Sequence, residues 1–258
     1  MKSPLGILTI FLCLIAGTAW AQFGGIDLGN VVKGAKGAVK LTRGAAGFSL
    51  QDELNLGGSL ATEIAAKKGG ILKDEALTRR VATIGKALSL YSTRPDISFV
   101  FTILDNPEIN AWSCPGGYVF VTKGLVASCQ DDRQLAAVLA HEMSHVTRRH
   151  ALKLIARNES LKGLSEIASA AGGGNVSGFD DAISKAITSL LEKGFDPAIE
   201  FDADCHGAQL LADAGFPPKA LRDYLAQLAK DQQSKPFSSH PPIQHRIERL
   251  DEFLEKNG

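Results

Sequence analysis

The sequence has no excess of charge in either direction, because 28 lysines and arginines balance 28 aspartates and glutamates. A chain that grips nucleic acid or a charged surface shows a basic surplus. Nothing here argues for nucleic acid as a partner or for a broad electrostatic pull on membranes, although peripheral association remains compatible. Long apolar runs are missing too. Beyond its first residues, no stretch approaches the ~20 apolar residues that a membrane span needs. Internal repeats are absent and no linker divides the chain, which is long enough for one sizeable core. Cysteine is scarce, with four in the whole sequence.

The one apolar run lies at the start. Met1-Lys2 leads into Leu5–Ala16, and Ala19-Trp20-Ala21 follows. A short positive end, an apolar core and a small-residue site describe a secretory signal peptide over residues 1–21, cleaved after Ala21. A membrane anchor is the alternative, but the run is short for a span. Cys13 lies within the apolar core and is followed by Leu14-Ile15, which does not fit a lipoprotein attachment site. The expectation is therefore a periplasmic or secreted protein. Removal of the signal leaves Cys114, Cys129 and Cys205. An oxidising compartment permits one disulfide among them, and Cys114–Cys129 is the pair closest in sequence. Cys205 is expected to be a buried structural thiol.

What the sequence does hold is a concentration of histidine. All six histidines lie between His141 and His245, and residues 141–145 read His-Glu-Met-Ser-His. This stretch sits inside Gln134–Ile155, whose apolar positions (Leu135, Val138, Leu139, Met143, Val146, Leu152) fit a helical period. On a helix, His141 and His145 are i and i+4, so both imidazoles leave one face a turn apart. Two nitrogens so placed can share one zinc ion at about 2.0–2.1 Å. Glu142 stands one step round the rim, where its carboxylate can take a proton from a water activated by the metal. On the pentapeptide alone, a surface helix carrying these residues by chance is the alternative.

A second element narrows the choice. Asp196-Pro197-Ala198-Ile199-Glu200-Phe201-Asp202-Ala203-Asp204 reads as a helix start, with Asp196 as cap and Pro197 at the first helical position. Glu200 and Asp204 are then i and i+4 on one face. Carboxylates in a first turn also simply favour the helix dipole. Beside the histidine pair they fit a division of labour: Glu200 as third zinc ligand, Asp204 orienting a ligand histidine through its other ring nitrogen. Two histidines and one carboxylate leave the fourth zinc position open, which is the catalytic pattern.

His-Glu-x-x-His followed by Glu-x-x-Ala-Asp resembles the gluzincin metallopeptidases of family forty-eight, which include HtpX, the CAAX prenyl proteases, Oma and the BepA-like proteases. Asn110–Leu125 is similar to that family's edge strand, tight turn and second strand. Ser239–Leu250, with His240-Pro241 and Arg246, is similar to its closing segment. The resemblance runs from about Phe48 to the C-terminus, and no stretch resembles the helical-repeat domain that some relatives carry. It implies an α+β, predominantly helical zincin-like domain with a small sheet beside the active-site helix. That domain occupies 48–258, after a glycine-rich segment at 22–47. It also implies an endopeptidase holding one Zn2+ per chain on His141, His145 and Glu200, with Glu142 as proton acceptor. His240 becomes the candidate partner of the oxyanion and Arg246 the residue that positions it.

An extended Asn110–Ser113 segment on the sheet edge can take a peptide as an added strand, with Asn110, Ala111 and Trp112 as the substrate-binding candidates. Such a site favours unfolded or misassembled polypeptides, outer-membrane proteins among them, and the family's members make envelope quality control plausible. A chaperone-like assembly factor with a usually latent zinc site is the alternative. Glu142 argues for turnover, since binding alone does not need it.

Local signals complete the layout. Leu50–Lys68 and Lys73–Tyr91 read as helices, the first ended by Gly69-Gly70 and the second capped at Asp74. Ile97–Leu104 alternates into a strand, and Ala111–Cys114 with Tyr118–Thr122 flank Pro115-Gly116-Gly117 in a hairpin. Asp131 and Gln134 have capping-box spacing before the zinc helix. Glu159–Phe195, with Gly172-Gly173-Gly174, reads equally as a lid over the cleft or a surface helical hairpin. Lys219–Gln232 and Ile243–Lys256 are the last two helices. His150, His206 and His245 are expected to be structural or solvated.

Overall fold

The computed structural model describes residues 48–157, 188, 194–230 and 243–257. The expected signal peptide, the 22–47 segment, His240 and nearly all of Glu159–Phe195 lie outside them. The fold is predominantly helical with one small sheet. In chain order the elements are α1 (Leu50–Lys67), α2 (Glu75–Ser89), β1 (Val100–Leu104), β2 (Ala111–Cys114), β3 (Tyr118–Thr122), α3 (Lys123–Ser128), α4 (Asp132–Thr147), α5 (His150–Arg157), α6 (Pro197–Asp213), α7 (Ala220–Lys230) and α8 (Ile243–Asn257).

The three strands run in the order β1-β3-β2, with β1 parallel and β2 antiparallel to β3. β2 is thus an edge strand, as expected, and the Pro115–Gly117 turn joins it to β3. β1 begins later than the alternation suggested. Ile97 and Phe99 continue its buried face, but only from Val100 does the backbone pair with β3. Alternation along the strands divides the interior. Phe101, Ile103, Val119 and Val121 face α2, α4 and α7, whereas Trp112, Cys114 and Phe120 face α1 on the other side. Cys114 and Cys129 fall in different clusters and both are free thiols, so the disulfide permitted by spacing does not form. Cys205 is free as well, and only half-buried rather than enclosed.

Helix starts follow their caps. Asp74 accepts from the Leu77 amide, Asp131 from those of Arg133 and Gln134, and Asp196 from that of Ile199. The capping box of α4 is shifted by one residue. Gln134 Oε1 accepts from the backbone of Gln130 at 2.7 Å instead of that of Asp131. The same Gln134 donates to Gln227 on α7, which in turn donates to the Ser128 carbonyl. Arg222 of α7 grips Asp251 of α8 with two bonds, so the last helix is anchored to the body that carries α4.

Two glycines set close approaches. A Cβ on Gly207 would stand 3.1 Å from the His141 backbone nitrogen, so α6 lies directly against α4 at the first histidine. A Cβ on Gly57, in the middle of α1, would stand 1.7 Å from the Pro115 carbonyl oxygen. Glycine costs a helix interior about 1 kcal/mol relative to alanine. It is retained here because α1 must reach the turn between β2 and β3. Gly57→Ala should therefore destabilise the fold by about 1–3 kcal/mol despite the better helix propensity. Urea denaturation measures this, and a variant as stable as the parent would contradict the close contact.

Candidate metal centre

α4 is buried from Gln134 to Val146 and carries two histidines and a glutamate in a core position, with His141, Glu142 and His145 each no more than 3% exposed. Imidazoles and carboxylates are taken out of water at a large free-energy cost unless something compensates them. The compensation comes from α6. Ala203, Gly207 and Leu211 pack that helix onto α4, and the same face brings in Glu200 and Asp204, both fully buried.

Three donor atoms converge. His141 Nε2 and His145 Nε2 are 3.2 Å apart, and Glu200 lies 3.5 Å from the first and 3.6 Å from the second. Ligands at zinc–nitrogen and zinc–oxygen distances of about 2.0–2.1 Å on a tetrahedron are separated by ~3.3 Å. The triangle therefore already has the dimensions of one face of such a site, and two nitrogens with one carboxylate oxygen are a donor set that zinc accepts. His141, His145 and Glu200 are also the metal-ligand group found among the described residues.

Asp204 stands behind the first ligand. Its carboxylate accepts from His141 Nδ1 at 2.9 Å, which leaves Nε2 free of its proton and aimed at the triangle. Arg246, from α8, grips the same carboxylate with two bonds, Nε to Oδ2 at 2.9 Å and Nη2 to Oδ1 at 2.6 Å. Its Nη1 lies 3.7 Å from Glu200. The sequence assigned Arg246 to positioning His240, which lies outside the described residues; among those described, Nε and Nη2 of its fork bind Asp204. Burial opposes ionisation of Asp204, but the Arg246 guanidinium and the His141 bond outweigh it and hold the carboxyl below its usual range. Burial and Arg246 push the His141 imidazole down, yet Asp204 and Glu200 prevail and raise it to about 9. Glu142 is close enough for its charge to act on Arg246 and on the Cys114 thiol, which burial has already pushed up.

The second ligand is supported differently, by residues the sequence did not single out. His150, expected to be structural or solvated, is buried, and its Nδ1 lies 3.0 Å from His145 Nδ1. Its Nε2 lies 2.9 Å from Asp202 Oδ2, and Asp202 also receives two bonds from Arg148. Burial outweighs Asp202 and lowers the His150 pKa to about 4, so the ring is neutral at pH 7. Phe195 stacks on the His145 ring, with centroids 4.4 Å apart and planes 16° from parallel. His206 and His245 stay at the surface, in line with expectation.

Of the substrate-binding candidates, Ala111 and Trp112 sit on β2, all four of whose residues are buried, and Asn110 immediately precedes it, buried as well. Asn110 Oδ1 accepts from the Ala111 amide, and the Asn110 carbonyl accepts from Thr122, so this side chain starts the strand. The Trp112 ring packs into the α1 side of the core, with the Lys68 ammonium 5.1 Å above it. What β2 offers a ligand is its backbone: among the described residues no strand pairs with its outer edge. Replacing Arg246 with methionine should cost the metal-free protein about 3–5 kcal/mol at neutral pH, because Asp204 is then buried without its counter-charge. The deficit should be greatest at neutral pH and close as pH falls toward the lowered pKa of Asp204, because protonation removes the buried charge that Arg246 balances. Urea melts of both proteins at pH 7 and pH 3.5 test it.

Comparison with known proteins agrees with this geometry. The model of Peptidase family M48 matches residues 75–254, a range that contains every residue of the centre described above. The chain is 28% identical over 209 residues to the beta-barrel assembly-enhancing protease of Yersinia pestis, covering 78% of this chain and 42% of that protein. It is 30% identical over 186 residues to the mitochondrial metalloendopeptidase OMA1 of Schizosaccharomyces pombe, covering 69% of this chain and 53% of that one. The beta-barrel assembly-enhancing protease of Escherichia coli K12 is 27% identical over 201 residues, 76% of this chain and 40% of its own. The chain thus spans about half or less of the length of these relatives. With the match covering most of its length and the buried metal-ligand group lying inside it, the chain belongs to peptidase family M48.

Proposed function

We propose that this protein is a zinc-dependent endopeptidase that cuts unfolded or misassembled polypeptides of the cell envelope. The observation that carries the reading is the triangle of His141, His145 and Glu200 with donor atoms 3.2–3.6 Å apart and Glu142 buried on the same helix. When bound there, zinc supplies Lewis acidity that polarises a carbonyl and lowers the pKa of water toward 7. The chain's own groups do the rest. His141, His145 and Glu200 hold the metal, and Asp204 fixes the tautomer of His141. Glu142 takes a proton from the attacking water and passes it to the leaving amine. His240 is assigned to the developing oxyanion and Arg246 to positioning it.

The envelope substrate has separate support. The expected signal peptide directs the chain out of the cytoplasm, no described helix is long and apolar enough to cross a membrane, and two of the relatives are named for beta-barrel assembly. The backbone edge of β2 that no described strand pairs suits an extended peptide, whose strand geometry folded proteins seldom present. A chaperone-like role with a latent centre uses the same edge and does not need Glu142.

Glu142→Gln should keep its metal and lose casein cleavage by on the order of 10²–10⁴-fold. Digestion of casein by both proteins, with zinc content measured on each, makes the comparison. Equal cleavage by both would remove Glu142 from the chemistry, and equal zinc without cleavage by either would favour the chaperone role. Metal affinity should also depend on pH. His141, raised to about 9, must give up a proton to bind metal, so between pH 6 and pH 8 affinity should rise by about tenfold per pH unit. Chelator competition at three pH values reads this slope, and a flat profile would contradict it.

A further inference from the structure

The two histidines of the centre are held by different devices. His141 donates directly to a buried carboxylate, whereas His145 meets another imidazole, that of His150. His150 follows His145 by five residues, and an uninterrupted helix would turn it well away from that ring. The chain avoids this by breaking α4 after Thr147. Arg149 takes a left-handed backbone conformation with φ 57°, the one non-glycine residue with positive φ among the described residues, and α5 starts at His150. Such a conformation is costly for a side chain bearing Cβ and persists only where the surroundings impose it. They do so here. Arg149 Nη2 lies 3.1 Å from the carboxylate of Glu53, a fully buried residue of α1 that also binds Arg94. The strained joint thus has its own buried anchor, and its effect is to turn His150 back onto His145.

Resting on the metal centre proposed above, we infer that His150 is a positioning residue for the metal ligand His145, acting as the acceptor of a relay that ends on Asp202. The hydrogen-bond logic admits one arrangement. His145 presents Nε2 to the metal triangle, so its proton is on Nδ1 and points at His150 Nδ1, which must accept. The proton of His150 is then on Nε2 and is donated to Asp202 Oδ2 at 2.9 Å. Arg148 fills the remaining capacity of that carboxylate through Nε at 2.8 Å and Nη2 at 3.0 Å. Phe195, stacked on the His145 ring, keeps it from rotating out of this alignment. Partners of this kind set ligand tautomer and basicity, and their loss typically weakens metal binding by about 10–100-fold.

The test uses zinc affinity, read by chelator competition, on the full-length protein and two variants. His150→Leu keeps an apolar bulk of similar size and cannot accept a hydrogen bond. His150→Asn places a carbonyl oxygen near the former Nδ1 and can. The leucine variant should bind zinc about 10–100-fold more weakly. The asparagine variant should recover most of the loss, and the visible spectrum of the cobalt(II)-loaded protein should change in the former and return in the latter. Equal affinity and equal spectra in all three would overturn the relay. Should the leucine variant fail to fold, nitrogen-15 spectra of the zinc-loaded wild type decide alone. His150 protonated at Nε2 supports the relay, and His150 protonated at Nδ1 overturns it. The two readings fail separately. A wild type that binds no zinc overturns the centre and the relay with it, whereas one that binds zinc no better than His150→Leu overturns the relay only.

Discussion

Everything in this fold is arranged around one double hydrogen bond, from the Arg246 guanidinium to the Asp204 carboxylate. Glu142, Glu200 and Asp204 are all buried, Glu200 lies 3.5 and 3.6 Å from the two histidines and Asp204 2.9 Å from His141, and Arg246 is a buried cation that faces them. Carboxylates so placed repel one another and have lost their water, which a single arginine offsets only in part. His141, held protonated by Asp204 and Glu200 with its pKa raised to about 9, supplies further positive charge, which a divalent ion replaces when it binds.

Helix packing follows from that need. Glu200 and Asp204 can reach α4 only because Gly207 lets α6 lie against the backbone of His141. Arg246 can reach Asp204 only because α8 is tied to α7 through Arg222 and Asp251, and α7 to the start of α4 through Gln227 and Gln134. The sheet serves the opposite side. It packs apolar side chains against α4 and leaves β2 as an outer strand whose Ser113 and Cys114 line the same small cavity as His145. The centre and the strand edge are thus products of one packing arrangement.

Much of this is legible in the residue order because the relevant spacing is local. His141 with His145, and Glu200 with Asp204, are i and i+4, so a helix alone makes each pair. Asp74, Asp131 and Asp196 mark helix starts through bonds that span two or three residues. What escaped depends on contacts between distant segments or on a backbone break. His150 looked incidental because helical spacing turns it away, and nothing in Arg148-Arg149 announces a left-handed joint. The bond from Arg246 to Asp204 joins two helices 42 residues apart in sequence, which no local pattern announces. Cys114 and Cys129 are close along the chain, yet the sheet separates them into different cores.

Charge completion by a metal is the claim on which the rest stands, and thermal unfolding tests it most directly. Melting of the chelated protein is compared with melting in one equivalent and in excess of zinc, with the bound metal counted. A ligand that binds only the folded state raises stability by about 2.7 kcal/mol at a hundred times its dissociation constant. The account predicts one zinc per chain and a marked rise in melting temperature that chelator reverses. A melting temperature indifferent to zinc, with no metal retained, would contradict it.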